Sequence, residues 1–254
     1  MKQPDILLRK ITITLLFATL VVSAVFVLFP QLDIYISGMF WQDGGFAAGM
    51  NPVLDSIRVF LIWAMWLFMM LSLLGILFAV FLGKNRNIPV RIWAYPFVVS
   101  LVGPLFLVNT VLKNNWGRAR PVSVHEFGGE LDFTPAYYLS DQCITNCSFT
   151  SGEGGAIATV AIVTGVLLWR NVRWKWLMFW GLSALFVLGA GLRVIKGRHF
   201  FSDTLLSALF CALIALLFYW WMDIGKHRNQ LTITNLVADF RLFGQRFRRN
   251  VPRK

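Results

Sequence analysis

Three short stretches hold most of the chemistry this chain offers. Lys113, Arg118 and Arg120 crowd into KNNWGRARP (113–121), directly after the uncharged run IWAYPFVVSLVGPLFLVNTVL. FTSGEGG (149–155) sets Ser151 and Gly152 beside Glu153, and GLRVIKGRHFFSD (191–203) spaces Arg193, His199 and Asp203. Lys113 and Arg120 supply a point charge and a planar fork, a pairing that suits phosphate oxygens. Ser151-Gly152 opens an apolar run, and backbone N–H groups at a helix N-terminus bind anions. Arg193 adds a second fork. His199 and Asp203 are four apart; a carboxylate there holds the imidazole in one tautomer and leaves the other nitrogen free to attack.

Taken singly, each stretch has a plainer reading. Arg193 and Lys196 can snorkel to a membrane interface. Ser202-Asp203 can serve as an N-cap, and the glycines after Ser151 can simply allow close helix packing. A lone His199 is more often structural than nucleophilic. The weight lies in three such stretches occurring in order and at the same ends of the elements that must position them.

Those elements are membrane spans. The chain has 254 residues, 57% apolar and 14% charged, against about 25% charged in soluble domains. Apolar runs predict an all-α polytopic bundle of six transmembrane helices at about 11–30, 59–83, 92–112, 154–169, 176–192 and 204–222. The first exceeds a signal-peptide core and lacks an A-x-A-like site, so it reads as a retained span. A single unit over 1–230, followed by a basic tail over 231–254, is the expected organisation.

Basic residues set the orientation. Lys2, Arg9, Lys10, Lys84, Arg86, Arg91, Arg170, Arg173, Lys175 and eight more from Lys226 to Lys254 make seventeen of twenty-four on one side. Both termini therefore face the cytoplasm. Arg58, near the start of span 2, is one of the seven others. The remaining six fall in two outward loops, 113–153 and 193–203, against the bias for short loops. A surface anchor explains KNNWGRARP poorly; a bound anion explains it better.

The same orientation accounts for most of the net charge of +12, so nucleic acid is not an expected partner. The bilayer is. In ITNLVADFRLFGQRFRRNVPRK, Ile233, Phe240, Phe243 and Phe247 share one helical face and arginines another, the pattern of a helix on an anionic leaflet. Tryptophans at span ends fit an interfacial belt. Cys211 lies within a span. Cys143 and Cys147 sit in an outward loop at a spacing that permits a local disulfide; two free thiols or a metal pair are the alternatives.

In order, K-x6-R-P (113–121), T-S-G-E (150–153) and R-x5-H-x3-D (193–203) resemble the tripartite signature of the type 2 phosphatidic acid phosphatase (PAP2) superfamily. The first part matches completely. In the second, Thr150 replaces Pro and Glu153 stands in the His position; in the third, Leu192 replaces Ser. The resemblance covers about 100–222 and implies a PAP2-like six-helix bundle with no cofactor and no metal. It implies hydrolysis of a phosphomonoester or pyrophosphate through a phosphohistidine. His199 would be the nucleophile and Asp203 its orienting partner. Lys113, Arg120, Ser151, Gly152 and Arg193 would bind the phosphoryl oxygens. The proton for the leaving group would fall to Glu153.

The Glu153 departure leaves three readings: a general acid, a bystander to a leaving group that needs no strong acid, or an inactivating change. The resemblance points to a bacterial inner-membrane enzyme with a periplasmic active site, acting on the 1- or 4′-phosphate of lipid A. Undecaprenyl pyrophosphate, phosphatidylglycerophosphate and phosphatidic acid fit the same mechanism, as does phosphotransfer to a sugar hydroxyl. The loop Val122–Cys147, with His125, Glu126, Glu130, Asp132 and Asp141, is expected to shape headgroup choice. Rivals of another class are an anion or lipid transporter and a catalytically inactive scaffold.

Overall fold

A computed structural model describes residues 3–250; Lys2 and the last four residues of the basic tail, Arg253 and Lys254 among them, lie outside the described residues. The chain runs through helices α1 (Gln3–Leu28), α2 (Gln31–Gly38), α3 (Pro52–Leu82), α4 (Val90–Asn115), α5 (Gly152–Leu168), α6 (Lys175–Ile195), α7 (Phe201–Trp221) and α8 (Ile233–Asn250). Among the described residues α1, α3, α4, α6 and α7 are long and apolar enough to span a membrane. α5 is the short sixth, 17 residues or about 26 Å of rise.

Local chemistry sets the boundaries. Asn51 caps α3 by accepting from the Val53 and Leu54 N–H groups, with Pro52 at the first position, where its missing N–H is no loss. The helix closes at Gly83, at a φ of 58°. Ser151 caps α5, its Oγ accepting from Gly154 N–H at 3.2 Å. α4 carries Pro96 and Pro104 and widens to a π-helical stretch over Leu101–Leu112. The span predicted at 11–30 stops at Leu28, and Pro30 starts the separate helix α2, which hydropathy alone does not separate from it.

α5 sits at the centre, packed on α4, α6 and α7. Its glycines make this close approach feasible: a Cβ on Gly152 would collide with Asn109 Oδ1, and one on Gly155 with Ser207 Oγ. α1 lies outermost, with only 6% of its apolar window buried, and presents Leu16, Phe17 and Leu20 outward. With no water in a bilayer core to reward collapse, such surfaces are at home in lipid.

The loops gather at one end. A hairpin pairing Trp41–Gln42 with Gly45–Phe46 turns through Asp43 and Gly44, both at positive φ, the dihedrals a type I′ turn requires. It drops Phe46 into a cluster with Ala119, Val124, Phe127 and Phe200, so segments around the first and third motifs share one small core. At the opposite end α8 folds back on α3, with Phe243 against Phe78 and Phe81. Asp239 is 1% exposed and accepts from the N–H groups of Asn87 and Ile88.

Candidate active site

The turn between α6 and α7 carries His199, which is 1% exposed. Its Nδ1 lies 2.8 Å from the Ser148 carbonyl. A carbonyl only accepts, so Nδ1 carries the proton in the neutral ring and Nε2 keeps its lone pair. Burial, reinforced by the charges of Arg193 and Lys113, pushes the imidazole pKa down to about 4. The ring is therefore neutral at physiological pH, the state a nitrogen nucleophile needs.

Asp203 is the expected orienting partner, but its contact is indirect. α7 begins at Phe201 rather than at His199, so the pair does not share a helical turn, and Nδ1 is 3.8 Å from Asp203 Oδ2. That distance is too long for a hydrogen bond, and the carboxylate reaches the ring by charge alone. Oδ2 instead accepts from Ser148 Oγ at 2.6 Å and from Phe200 N–H at 3.0 Å. Asp203 thus holds the residue whose carbonyl holds His199, and it also caps α7.

Behind this pair lies a cluster that sequence reasoning did not assign. Arg118 is fully buried and donates to Asp203 at 2.6 Å, to Asp33 of α2 at 2.8 Å, to Ser202 Oγ at 3.0 Å and to the Thr134 carbonyl at 2.7 Å. Its guanidinium stacks 4.3 Å from the centre of the Phe200 ring. Asp33 also accepts from Ser202 N–H at 2.9 Å. Burial raises the Asp33 carboxyl above its usual range, and Arg118 opposes the shift. Within KNNWGRARP the middle arginine turns inward while its neighbours serve the open face. Neither Arg118 nor Asp33 carried a signal in the sequence, because the partners that define them lie 85 and 169 residues away.

On the open side, Lys113, Arg120 and Arg193 lie near one another and near Glu153 at the N-terminus of α5. Arg120 Nη2 donates to the Asn146 carbonyl at 2.7 Å. Arg193 is 5% exposed, and its Nε has no partner among the described residues. Ser151 is anchored from behind: its N–H donates to the Asp203 carbonyl at 3.2 Å and its carbonyl accepts from Ser207 Oγ at 2.7 Å. Cys143 and Cys147 form a disulfide, closing the loop that presents Asn146 to Arg120 and leads directly into Ser148.

Glu153 stands at the same mouth, already committed. Arg58 of α3 grips it in a fork, Nε to Oε2 at 2.9 Å and Nη2 to Oε1 at 2.7 Å, and Arg193 Nη1 lies 3.5 Å from Oε2. Two hydrogen bonds from one guanidinium, with a second guanidinium nearby, favour the carboxylate over the protonated acid, which weighs against the expected general acid. Below it a cavity of about 280 Å³ runs between α3, α4 and α5, with Lys113 and Glu153 at its polar end and Ile62, Met65, Trp66 and Leu105 along its apolar wall. Of the loop expected to shape headgroup choice, His125 and Asp132 are exposed to solvent and lie 3.6 Å apart. No three His, Cys, Asp or Glu side chains converge as metal ligands among the described residues.

A basic cradle over a buried histidine, in this order along the chain, agrees with comparison to known proteins. The PAP2 superfamily model matches residues 93–225. The chain belongs to the PAP2 superfamily. It is similar to a lipid A 4′-phosphatase of Francisella tularensis subsp. novicida, 33% identical over 191 residues, 73% of this chain and 83% of the relative. It is also similar to a Rhizobium leguminosarum lipid A 4′-phosphatase, 39% identical over 121 residues, 46% of this chain and 51% of that protein. The crystal structure of a transmembrane PAP2-type phosphatidylglycerolphosphate phosphatase from Bacillus subtilis aligns with a TM-score of 0.51 at 20% identity, covering 84% of this chain and 96% of that one. Its likeness speaks for the fold. This PAP2 phosphatase is thus an all-α membrane protein whose three signature stretches meet at one end of the bundle.

Proposed function

We propose that this enzyme removes the 4′-phosphate of lipid A at the periplasmic face of the inner membrane through a phosphohistidine. The observation that carries the reading is His199. It is a buried neutral imidazole whose Nε2 accepts no hydrogen bond among the described residues, set behind a cradle of cations at the polar end of an apolar cavity. The relatives' names favour lipid A, and the 4′ position, over other lipid phosphates. The concentration of basic residues at the opposite end favours a periplasmic site.

In the proposed reaction Nε2 attacks phosphorus in line with the sugar oxygen. The N–P bond forms as the P–O bond breaks. Lys113, Arg120, Arg193 and the N–H groups opening α5 take the charge that gathers on the equatorial oxygens, the main resource of phosphoryl transfer. The ring that results is cationic, and Asp203 steadies it. With both Glu153 oxygens engaged, the leaving sugar oxygen takes its proton from water at the half-open mouth. A second water then attacks phosphorus, releases phosphate and restores the imidazole. Acyl chains remain in the membrane, entering beside α3 and α4.

The test is phosphate release by purified protein in detergent from lipid A, undecaprenyl pyrophosphate, phosphatidylglycerophosphate and phosphatidic acid. The expected result is release from lipid A, with the 4′-phosphate missing from the product by mass spectrometry and none released by His199→Ala. Release from another lipid alone would overturn the substrate. Undiminished release by His199→Ala would overturn the mechanism.

A further inference from the structure

Arg58 carries no part of the three-motif signature, yet it is built into the same mouth. It lies on α3 one turn before Ile62, at the head of the stripe Ile62, Met65, Trp66 and Met69 that walls the cavity. A phosphorylated headgroup whose chain lies along that wall passes Arg58. One edge of the guanidinium is clamped by Glu153, through Nε and Nη2, while Nη1 has no hydrogen-bond partner among the described residues. The side chain is one-third exposed, neither buried as a structural arginine nor free in solvent. A second contact holds α3 here, Lys196 Nζ to Asp55 Oδ1 at 2.6 Å. That contact ties α3 to the turn after α6, whereas Arg58 reaches Glu153 at the start of α5, so α3 is held at this end by an ion pair besides the one Arg58 makes.

We propose that Arg58 is a phosphate-binding residue of this site, and that Glu153 is present to hold it there. The inference rests on the phosphatase reading above but not on the identity of the lipid. A guanidinium fixed along one edge offers the other with little further loss of rotamer freedom, which is where arginine gains over lysine. The mouth then presents Arg58 beside Lys113, Arg120 and Arg193, with the carboxylate of Glu153 among them. The glutamate at this position thereby acquires a role of its own. Where the signature has a proton donor, this chain has an anchor that recruits a further guanidinium from α3. Arg193, 3.5 Å from the same carboxylate, shares the anchor.

The experiment compares wild type, Arg58→Gln, Arg58→Lys, Glu153→Gln and the Arg58→Gln/Glu153→Gln double variant, each checked for its melting temperature in detergent. Inorganic phosphate binding is measured by titration calorimetry, and kcat/KM is measured on lipid A and on p-nitrophenyl phosphate. The latter's leaving group needs no acid. Arg58→Gln is expected to weaken phosphate binding and lower kcat/KM on both substrates by about tenfold, the scale of one charge-assisted hydrogen bond. Arg58→Lys is expected to fall between, since it keeps the charge and loses the fork. In the Glu153→Gln background the further loss from Arg58→Gln should shrink to about twofold, because residues acting as one unit are not additive.

Three results would overturn the proposal. If Arg58→Gln and Arg58→Lys are both folded and keep phosphate affinity within about twofold of wild type, Arg58 is only a helix tie. If the loss is the same with and without Glu153, Arg58 is placed by something else. If Glu153→Gln loses lipid turnover while keeping p-nitrophenyl phosphate turnover, Glu153 is the proton donor. Failure of lipid A as substrate shows itself separately, as turnover of p-nitrophenyl phosphate alone, and leaves the phosphate titration to decide Arg58.

Discussion

The back wall of the site and its mouth use the same residue types in opposite ways. At the back, Arg118, Asp33 and Asp203 are fully buried, and two carboxylates, a hydroxyl and a carbonyl accept from every nitrogen of one guanidinium. At the mouth, Arg193 leaves its Nε unused, and the Arg58–Glu153 pair is partly exposed. Desolvated charges are tolerable only when fully paired, so the back wall is rigid and its geometry fixed before any substrate arrives. Incompletely paired cations keep donors for a ligand. The His199 ring sits at the boundary, buried and oriented from behind through Ser148.

That contrast can be broken most severely at the boundary. His199→Ala should leave the fold intact and lower turnover by at least about a thousandfold, as removal of a nucleophile does; a phosphate-release assay beside a melting curve checks both. Arg118→Met should act on stability instead. It leaves Asp33 and Asp203 buried without their cation, so stability should fall by about 3–5 kcal/mol, read as a lower melting temperature. A mouth residue such as Arg120 changed in the same way should reduce activity without comparable loss of melting temperature. If Arg118→Met melts like wild type, the back wall is not rigid in the way its pairing implies.

The pH dependence sharpens the comparison further. An imidazole held at about 4 rather than its ordinary 6.5 stays neutral across the physiological range. The acid limb of kcat/KM should therefore fall through about pH 4, with no break near 6.5. The same shift has a stability consequence: unfolded chain takes up a proton below 6.5 while folded chain does not. This contribution is whole above 6.5 and declines as pH falls toward 4. A limb near 6.5 would mean that the ring is far more hydrated than its position implies. Smaller again is the disulfide. Cys143→Ser with Cys147→Ser should reduce turnover by only about severalfold, by loosening the Asn146 carbonyl on Arg120 and the approach to Ser148. The smallest effect belongs to the far end of the bundle. Asp239→Ala should free α8 from the Asn87–Ile88 turn, seen as faster proteolysis of the tail, with kcat unchanged.

Much of this molecule is legible without its fold. Hydropathy fixes the number of spans, because a bilayer demands an apolar run of set length whatever the helix packs against. Motif order and spacing bring Lys113, Arg120, Ser151, Gly152, Arg193, His199 and Asp203 to one end. These residues sit within compact motifs, so adjacency in the chain is enough to place them together. The Cys143–Cys147 pairing is legible as a permitted spacing, four residues apart in one loop.

Other roles depend on partners distant in sequence, and only tertiary structure assigns them. Asp33 reads as an ordinary loop residue after the first span, and Arg58 as a stray charge at the start of the second. Arg118 reads like its outward neighbours, because nothing local distinguishes an arginine that turns inward. Glu153 has three readings in sequence, since its chemistry depends on what its oxygens accept, and that is set by a helix some 95 residues earlier. Sequence determined the spans and which side chains the motifs supply. Packing decided which charges are buried and paired and which stay open to a ligand, because a charge's worth depends on the dielectric and the partners around it.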